Sequence, residues 1–258
     1  MARERRAAEQ ASFQQSLAKL TEAADYLKPL LARLDRITPL PRGSNIAEIG
    51  SAQGHMLICL NSMGYHVTGV EPWDQARKVA AQLADHQGSE VAILKGVAES
   101  LPMEPESFDA LIAKSVIEHV NDAEAAFAEA ARVLKPGGVF WFSTASSMCP
   151  KQDKVSGFPL FGWYPNSLKL RIMEWAKSKR PHLIGHAAAP PINWFTPFKA
   201  RRMLRKAGFS RIYDRYDLRL PNGGGKKYRA ALAVVSSCRL TKLIGDVLWS
   251  GCSYAAVK

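Results

Sequence analysis

The chain has 258 residues, 47% hydrophobic and 22% charged, which is the composition of an ordinary soluble globular protein with one large or two small α/β domains. No apolar run reaches the roughly 18 residues needed to cross a bilayer. The N-terminal Met-Ala-Arg-Glu-Arg-Arg has no apolar stretch behind it, so the expected location is cytoplasmic, without a secretory signal. The net charge of +12 is lopsided: residues 151–258 hold 21 Lys and Arg against 5 Asp and Glu, whereas residues 1–150 hold 14 against 18. Such a field either steers anionic partners or coats a solvated surface.

Taken in order, the chain opens with a helical pattern over residues 8–36. Phe13, Leu17, Leu20, Ala24, Leu27 and Leu31 recur at three- and four-residue steps, and Pro29 is expected to break or kink it. A Pro-rich linker near 38–43 leads into alternating strands and helices. The expected strands are 45–50, 65–71, 91–94, 108–113 and 139–144. The expected helices are 54–63, one capped by Asp74 that ends near Gly88, and one capped by Asn121 with Glu124 as its capping-box partner. Lys135-Pro-Gly-Gly is expected to stop that last helix. Alternation at this spacing argues for a parallel sheet covered on both faces.

Past the fifth strand the rhythm breaks. Residues 146–195 are rich in proline and aromatic residues and read as an insertion. Trp163, Tyr164, Trp175 and Trp194 are expected either to roof a ligand or to form a satellite core, with His182 and His186 flanking a turn. Thr196-Pro197 opens a helix that ends at Gly208. A strand over 209–216, a turn of Asn222-Gly-Gly-Gly, one helix over 228–249 and a last strand over 252–257 complete the pattern.

The chemistry concentrates at 48–54, Glu-Ile-Gly-Ser-Ala-Gln-Gly. Gly50 and Gly54 let the backbone turn tightly after the first strand, and Glu71 ends the second. A glycine loop after one strand with a carboxylate after the next is how an α/β sheet holds an adenosine. The four cysteines, at 59, 149, 238 and 252, form no C-x-x-C pair, and no zinc-type histidine spacing occurs. Reduced thiols and no metal site are expected.

Four blocks in this order resemble the class I S-adenosylmethionine-dependent methyltransferases, in particular the quinone-biosynthesis and small-molecule group. They are the loop at 48–54, Val70-Glu-Pro, Gly96-Val-Ala-Glu-Ser-Leu-Pro with Ser107-Phe-Asp, and Ala131-Arg-Val-Leu-Lys-Pro-Gly-Gly. The likeness covers residues 40–146. It implies a Rossmann-like, seven-stranded, mostly parallel sheet with helices on both faces, an antiparallel last strand and an insertion after strand five. It implies a helical segment at 1–40 and a methyltransferase domain at 41–258, with 146–195 as the substrate lid.

The resemblance also assigns cofactor roles. Glu48, Gly50, Ser51 and Gly54 form the loop block, in which Gly50, Ser51 and Gly54 would wrap the methionine portion of S-adenosylmethionine. Glu71 would bind the ribose, Pro72 would pack on adenine, Ala98 would offer its backbone to the adenine edge, and Lys114 would lie at the methionine amino end. The sequence departs from the family at Ala52, where a glycine is usual, and at Val97, where an acid usually contacts adenine; Glu99 is the candidate substitute.

His119, just after the fourth strand, is the candidate general base, with Glu118 to orient it or to accept a proton itself. The basic second half favours an anionic acceptor, small or lipid-linked, with peripheral contact to an anionic membrane. No RNA-binding module is present, so a nucleic acid substrate is not expected. O-methylation is the leading expectation. An RNA methyltransferase and a cofactor-binding subunit that no longer transfers methyl groups stand as alternatives.

Overall fold

The strand order explains where a ligand can bind. In the computed structural model, which describes residues 2–152, 155–184, 191–220 and 225–258, seven strands form one sheet in the order β3-β2-β1-β4-β5-β7-β6. The strands are β1 (Asn45–Ile49), β2 (His66–Val70), β3 (Ala92–Leu94), β4 (Phe108–Lys114), β5 (Leu134–Ala145), β6 (Arg211–Asp214) and β7 (Gly251–Val257). β1 pairs in parallel with β2 and β4, and β2 with β3. The order reverses between β1 and β4, and open α/β sheets bind ligands at the carboxyl ends of strands beside such a reversal.

The helices are α1 (Ala2–Asp35), α2 (His55–Ser62), α3 (Asp74–Gln87), α4 (Ala123–Val133), α5 (Asn166–Lys179), α6 (Pro197–Lys206), α7 (Lys226–Val235) and α8 (Arg239–Leu248). The chain divides into two compact units. One comprises Met1–Ile112, Glu129–Phe140 and Val257–Lys258; the other comprises Ala113–Ala128 and Trp141–Ala256.

In the first unit, Ile46, Ala47 and Ile49 make β1 apolar on both faces, as a central parallel strand requires. α1 continues through Pro29 instead of ending there. Leu27, Leu30 and Leu34 are buried on either side of the proline, and that packing offsets the missing hydrogen bond. Leu17 and Leu20 of α1 pack on Ile58, Leu83 and Ala84, so the N-terminal helix lies against α2 and α3.

Two helix starts differ from expectation by a residue. Trp73 precedes α3, and Asp74, instead of capping it, pairs with Arg77 and Lys95. Asp122, not Asn121, takes the cap position before α4, its Oδ1 accepting from the Glu124 and Ala125 N–H groups at 2.9 and 3.1 Å. β5 starts directly after α4, five residues earlier than expected. The Gly137 N–H donates to the Lys258 carbonyl, and the Lys258 N–H to the Gly138 carbonyl, both at 3.1 Å, so this glycine pair is sheet.

In the second unit, the Ser146 N–H donates to the Ser250 carbonyl at 3.2 Å. With the Gly138–Lys258 pairing at the opposite end, this fixes β7 antiparallel to β5. Phe142 stacks on Tyr254 at 5.4 Å and lies 5.1 Å from Phe127. β6 is half its expected length because Asp214 Oδ1 accepts from the Tyr216 and Asp217 N–H groups and turns the chain. The single helix expected over 228–249 is two, α7 and α8. The Ser236 and Ser237 hydroxyls donate back to the Ala233 and Val234 carbonyls, and the Cys238 N–H turns to Thr241 Oγ1. Side-chain competition of that kind ends helices.

The insertion holds α5 and two short 3-10 turns, Phe161–Trp163 and Pro181–Leu183. Trp194 and Tyr164 join a cluster with Ala145, Val155, Phe161 and Met173, which is the satellite core. Trp163 and Trp175 are exposed. His182 is exposed; His186 and residues 222–224 of the glycine turn lie outside the described residues.

Candidate functional site

The loop after β1 has left-handed backbone at three alternate residues. Gly50, Ala52 and Gly54 have φ of 69°, 46° and 74°. At Gly54 a side chain is excluded by space as well, since a Cβ would stand 3.2 Å from both Ala80 Cβ and Ile93 Cδ1. Ala52 is the one residue of the three that carries a Cβ in this region, where L residues are strained.

Hydrogen bonds fix the loop. The Gly50 and Ser51 N–H groups donate to the Val70 carbonyl at 2.8 and 3.1 Å, and Gly54 donates to the Ser51 carbonyl at 2.8 Å. The Ala52 N–H donates to Glu71 Oε2 at 2.8 Å, and the Trp73 N–H to Glu71 Oε1 at 3.1 Å. Glu71 is 5% exposed, and each of its oxygens keeps a lone pair. Arg77 holds the following turn by donating to the Glu71 and Pro72 carbonyls at 2.7 and 3.1 Å.

Ser51 is buried, and its hydroxyl has no hydrogen-bond partner among the described residues. Glycine at 69 makes room for it: a Cβ there would stand 2.6 Å from Ser51 Oγ and 2.5 Å from Leu57 Cδ1. α1 closes over the loop as well, Ser16 Oγ donating to Gln53 Oε1 at 3.1 Å. Beside it, burial, with Lys19 adding, lowers the His55 pKa below the usual histidine value. Glu48 is buried in β1, and its charge adds to the burial that raises the Cys59 pKa.

Two exposed apolar side chains follow the Glu71 turn. Pro72 and Trp73 are exposed after β2. The next loop is tied to this turn by the Glu71 N–H bond to the Leu94 carbonyl at 3.0 Å and by the Lys95–Asp74 pair. On that loop Val97 is exposed and Ala98 is buried.

In the second unit, Lys114 is the exposed last residue of β4. Ser115 follows at φ 55°, its N–H donating to Ser143 O at 3.0 Å and Oγ at 3.2 Å. His119 is half-buried, and its N–H donates to the Val116 carbonyl at 2.8 Å. The Glu118 side chain is fully buried, and its carbonyl accepts from the Ile192 and Asn193 N–H groups at 2.7 and 2.9 Å. Asn193 Nδ2 donates to the Val120 carbonyl at 2.6 Å, so the His119 turn is laced to the end of the insertion. Burial, with the Asp246 and Glu118 charges adding, pushes the Cys252 thiol up to about 12.

A family model described as a methyltransferase domain matches residues 47–142, the span that carries the glycine loop, Glu71, Ala98 and His119. The ubiquinone biosynthesis O-methyltransferase of Maricaulis maris is 36% identical over 126 residues, 48% of this chain and 50% of that protein. The enzyme of the same name from Paramagnetospirillum magneticum is 31% identical over 141 residues, 54% of this chain and 55% of that protein. Residues 47–142 are thus similar to a methyltransferase domain, and the surrounding chain to O-methyltransferases of this kind.

The match spans about half the length of these relatives. Solved structures share the fold at low identity. An S-adenosylmethionine-dependent methyltransferase from Mesorhizobium loti superposes with a TM-score of 0.60 at 18% identity, covering 93% of this chain and all of that one. Haemonchus contortus phosphoethanolamine N-methyltransferase 2 superposes with a TM-score of 0.57 at 20% identity, covering 90% of this chain and 52% of that one.

The residues of the first loop fit S-adenosylmethionine. A buried serine hydroxyl lacking a partner, a glycine turn that a Cβ would fill and an oriented carboxylate with spare lone pairs are the donor set an amino-acid-bearing nucleoside needs. Sequence reasoning missed Gly69, Arg77 and the Ser16–Gln53 contact. An isolated glycine inside a strand pattern was the available signal for Gly69; nothing local signals the other two.

Proposed function

We propose that the chain transfers the methyl group of S-adenosylmethionine to an oxygen of a small or lipid-linked, anionic acceptor. The observation that carries it is the Gly50–Gly54 loop locked onto Glu71, in a domain 31–36% identical to ubiquinone biosynthesis O-methyltransferases. Bound S-adenosylmethionine supplies an electrophilic methyl on a sulfonium. Gly50, Ser51 and Gly54 hold its methionine part, with Lys114 at the amino end and Glu48 supporting the loop from inside β1. Glu71 takes the ribose hydroxyls, and Pro72 and Ala98 border the adenine, with Val97 adding apolar contact in place of the missing acid.

His119 takes the proton that an acceptor hydroxyl must lose. Histidine is the side chain most often used for such proton transfer. Glu118 positions it, because the Glu118 carbonyl anchors the turn to Ile192 and Asn193. An anionic acceptor accords with the excess of basic residues in 151–258. Part of that charge is already paired: Arg201 meets Asp214 at 2.9 Å and Lys206 meets Glu124, while Arg202 and Arg205 on α6 stay exposed. Calorimetry with S-adenosylhomocysteine, followed by turnover on catechol- and phenol-type acceptors, tests the proposal. Absence of cofactor binding overturns it. Binding without turnover on any hydroxyl acceptor favours a cofactor-binding subunit.

A further inference from the structure

Helix α8 has its amphipathic faces reversed. Of its charged side chains, Lys242 and Asp246 point into the protein, while Arg239 at its start is exposed. Asp246 is 7% exposed and meets Arg215 Nη2 at 2.5 Å and the Tyr216 hydroxyl at 3.1 Å. Lys242 reaches Asp217 at 2.8 Å and Asp214 at 3.2 Å. Gly245 allows this close seating, since a Cβ there would stand 2.3 Å from Tyr216 Oη and 2.6 Å from Val235 Cγ1. Leu240, Ile244 and Leu248, at four-residue steps, are 67%, 53% and 72% exposed, and Trp249 just beyond them is 56% exposed. On α7, Ala230, Ala231, Ala233 and Val234 are also exposed. A helix that buries its ions and shows its leucines is built to be covered by something apolar.

Charge decides what covers it. Between Asp217 and Asp246 the sequence has no acidic residue, and Lys226 and Arg239, the first residues of α7 and α8, are exposed beside the stripe. A second copy of the chain would bring the same positive charge to the same face. An anionic bilayer brings the opposite charge together with an apolar interior. Trp249 at the end of the stripe suits the headgroup boundary. Among the described residues no helix is long and apolar enough to cross a membrane, so the element would lie on the surface.

We propose that the outward faces of α7 and α8 dock the protein on an anionic lipid surface, with Leu240, Ile244 and Leu248 among the acyl chains. This deepens the reading of a lipid-linked acceptor and takes its purpose from it. The test needs neither acceptor nor cofactor, so its failure is distinct from failure of the methyl-transfer reading.

The full chain is floated with phosphatidylcholine vesicles and with vesicles of phosphatidylcholine and phosphatidylglycerol. Wild type floats with the mixed vesicles, more at about 0.1 M salt than at about 0.5 M. Ile244→Glu lowers the bound fraction about tenfold, and so does the milder pair Leu240→Ser with Leu248→Ser. Thermal melts matching wild type for at least one of the two variants show that the loss is not unfolding. Trp249→Phe removes most of the blue shift in emission on vesicle addition. Equal flotation of wild type and variants overturns the proposal, as does no flotation at all. So does a solution dimer, read by light scattering, that Ile244→Glu dissociates while vesicles are ignored.

Discussion

Glu71 Oε2 accepts a hydrogen bond from the backbone N–H of Ala52 at 2.8 Å, so the acid at the end of β2 holds the turn at the end of β1. Its other oxygen takes the Trp73 N–H. One carboxylate thus shapes the loop, and in the proposed function it also takes the ribose hydroxyls. Glu71→Gln keeps the size but turns one acceptor into a donor. Calorimetry is expected to show S-adenosylhomocysteine affinity reduced by about 10- to 100-fold, as loss of a charged hydrogen bond of roughly 1.5–3 kcal/mol requires. Unchanged affinity would remove Glu71 from the cofactor site.

Ala52 sits at φ 46°, a conformation that costs an L residue roughly 1–2 kcal/mol. Glycine removes that strain, and its greater freedom in the unfolded chain takes back about 0.5–1 kcal/mol. Ala52→Gly is expected to raise the urea midpoint slightly, with cofactor affinity kept or improved. Ala52→Val is expected to lower it. A clear drop in stability for Ala52→Gly would mean that the alanine side chain has a packing role.

Gly69 is the closest contact behind the loop. Gly69→Ala would push Leu57 or Ser51, whose atoms lie 2.5 and 2.6 Å from the added Cβ. Overpacking of this kind costs typically about 1–3 kcal/mol. The Ser51 hydroxyl moves with it, so cofactor affinity falls together with the melting temperature. Ser51→Ala, by contrast, deletes a buried hydroxyl that has no hydrogen-bond partner among the described residues. It is expected to weaken cofactor binding while leaving the cofactor-free protein as stable or more so, which two melts and one titration resolve.

His119→Ala tests the proton acceptor. Turnover is expected to fall about 10²- to 10⁴-fold for a hydroxyl acceptor, with cofactor affinity within a factor of two of wild type. Full turnover in the variant would take His119 out of the reaction.

His55 gives a pH dependence of stability. Its folded-state pKa is lowered, mainly by burial, so the fold favours the neutral ring. The stability it supports is present above the unfolded pKa of about 6.5 and is lost as pH falls through the lower folded value. Denaturant midpoints measured from about pH 7 to pH 5 should decline, and His55→Gln should flatten part of that slope. A variant with the same slope would place the dependence elsewhere.

Much of this protein is written in its sequence because the signals are local. Apolar runs such as 46–49, the glycines of the first loop and the carboxylate two residues past Gly69 follow from backbone sterics within a few positions of each other. They fix the alternation of strands and helices and the glycine loop on which the proposed donor site rests. The tertiary structure decided what depends on distant partners. α1 runs through Pro29 because leucines on both sides are buried, and Lys135-Pro-Gly-Gly becomes sheet because Lys258 pairs with it. The aromatic insertion resolves into a satellite core with two tryptophans left in solvent. α8 illustrates the limit. Its periodicity predicts a helix with an apolar face, and such faces normally turn inward. Here Asp214, Arg215, Tyr216 and Asp217 offer partners for Lys242 and Asp246, so these two went in and Leu240, Ile244 and Leu248 stayed out. Periodicity tells which residues share a face; only the neighbours that chain folding brings near determine which face is buried.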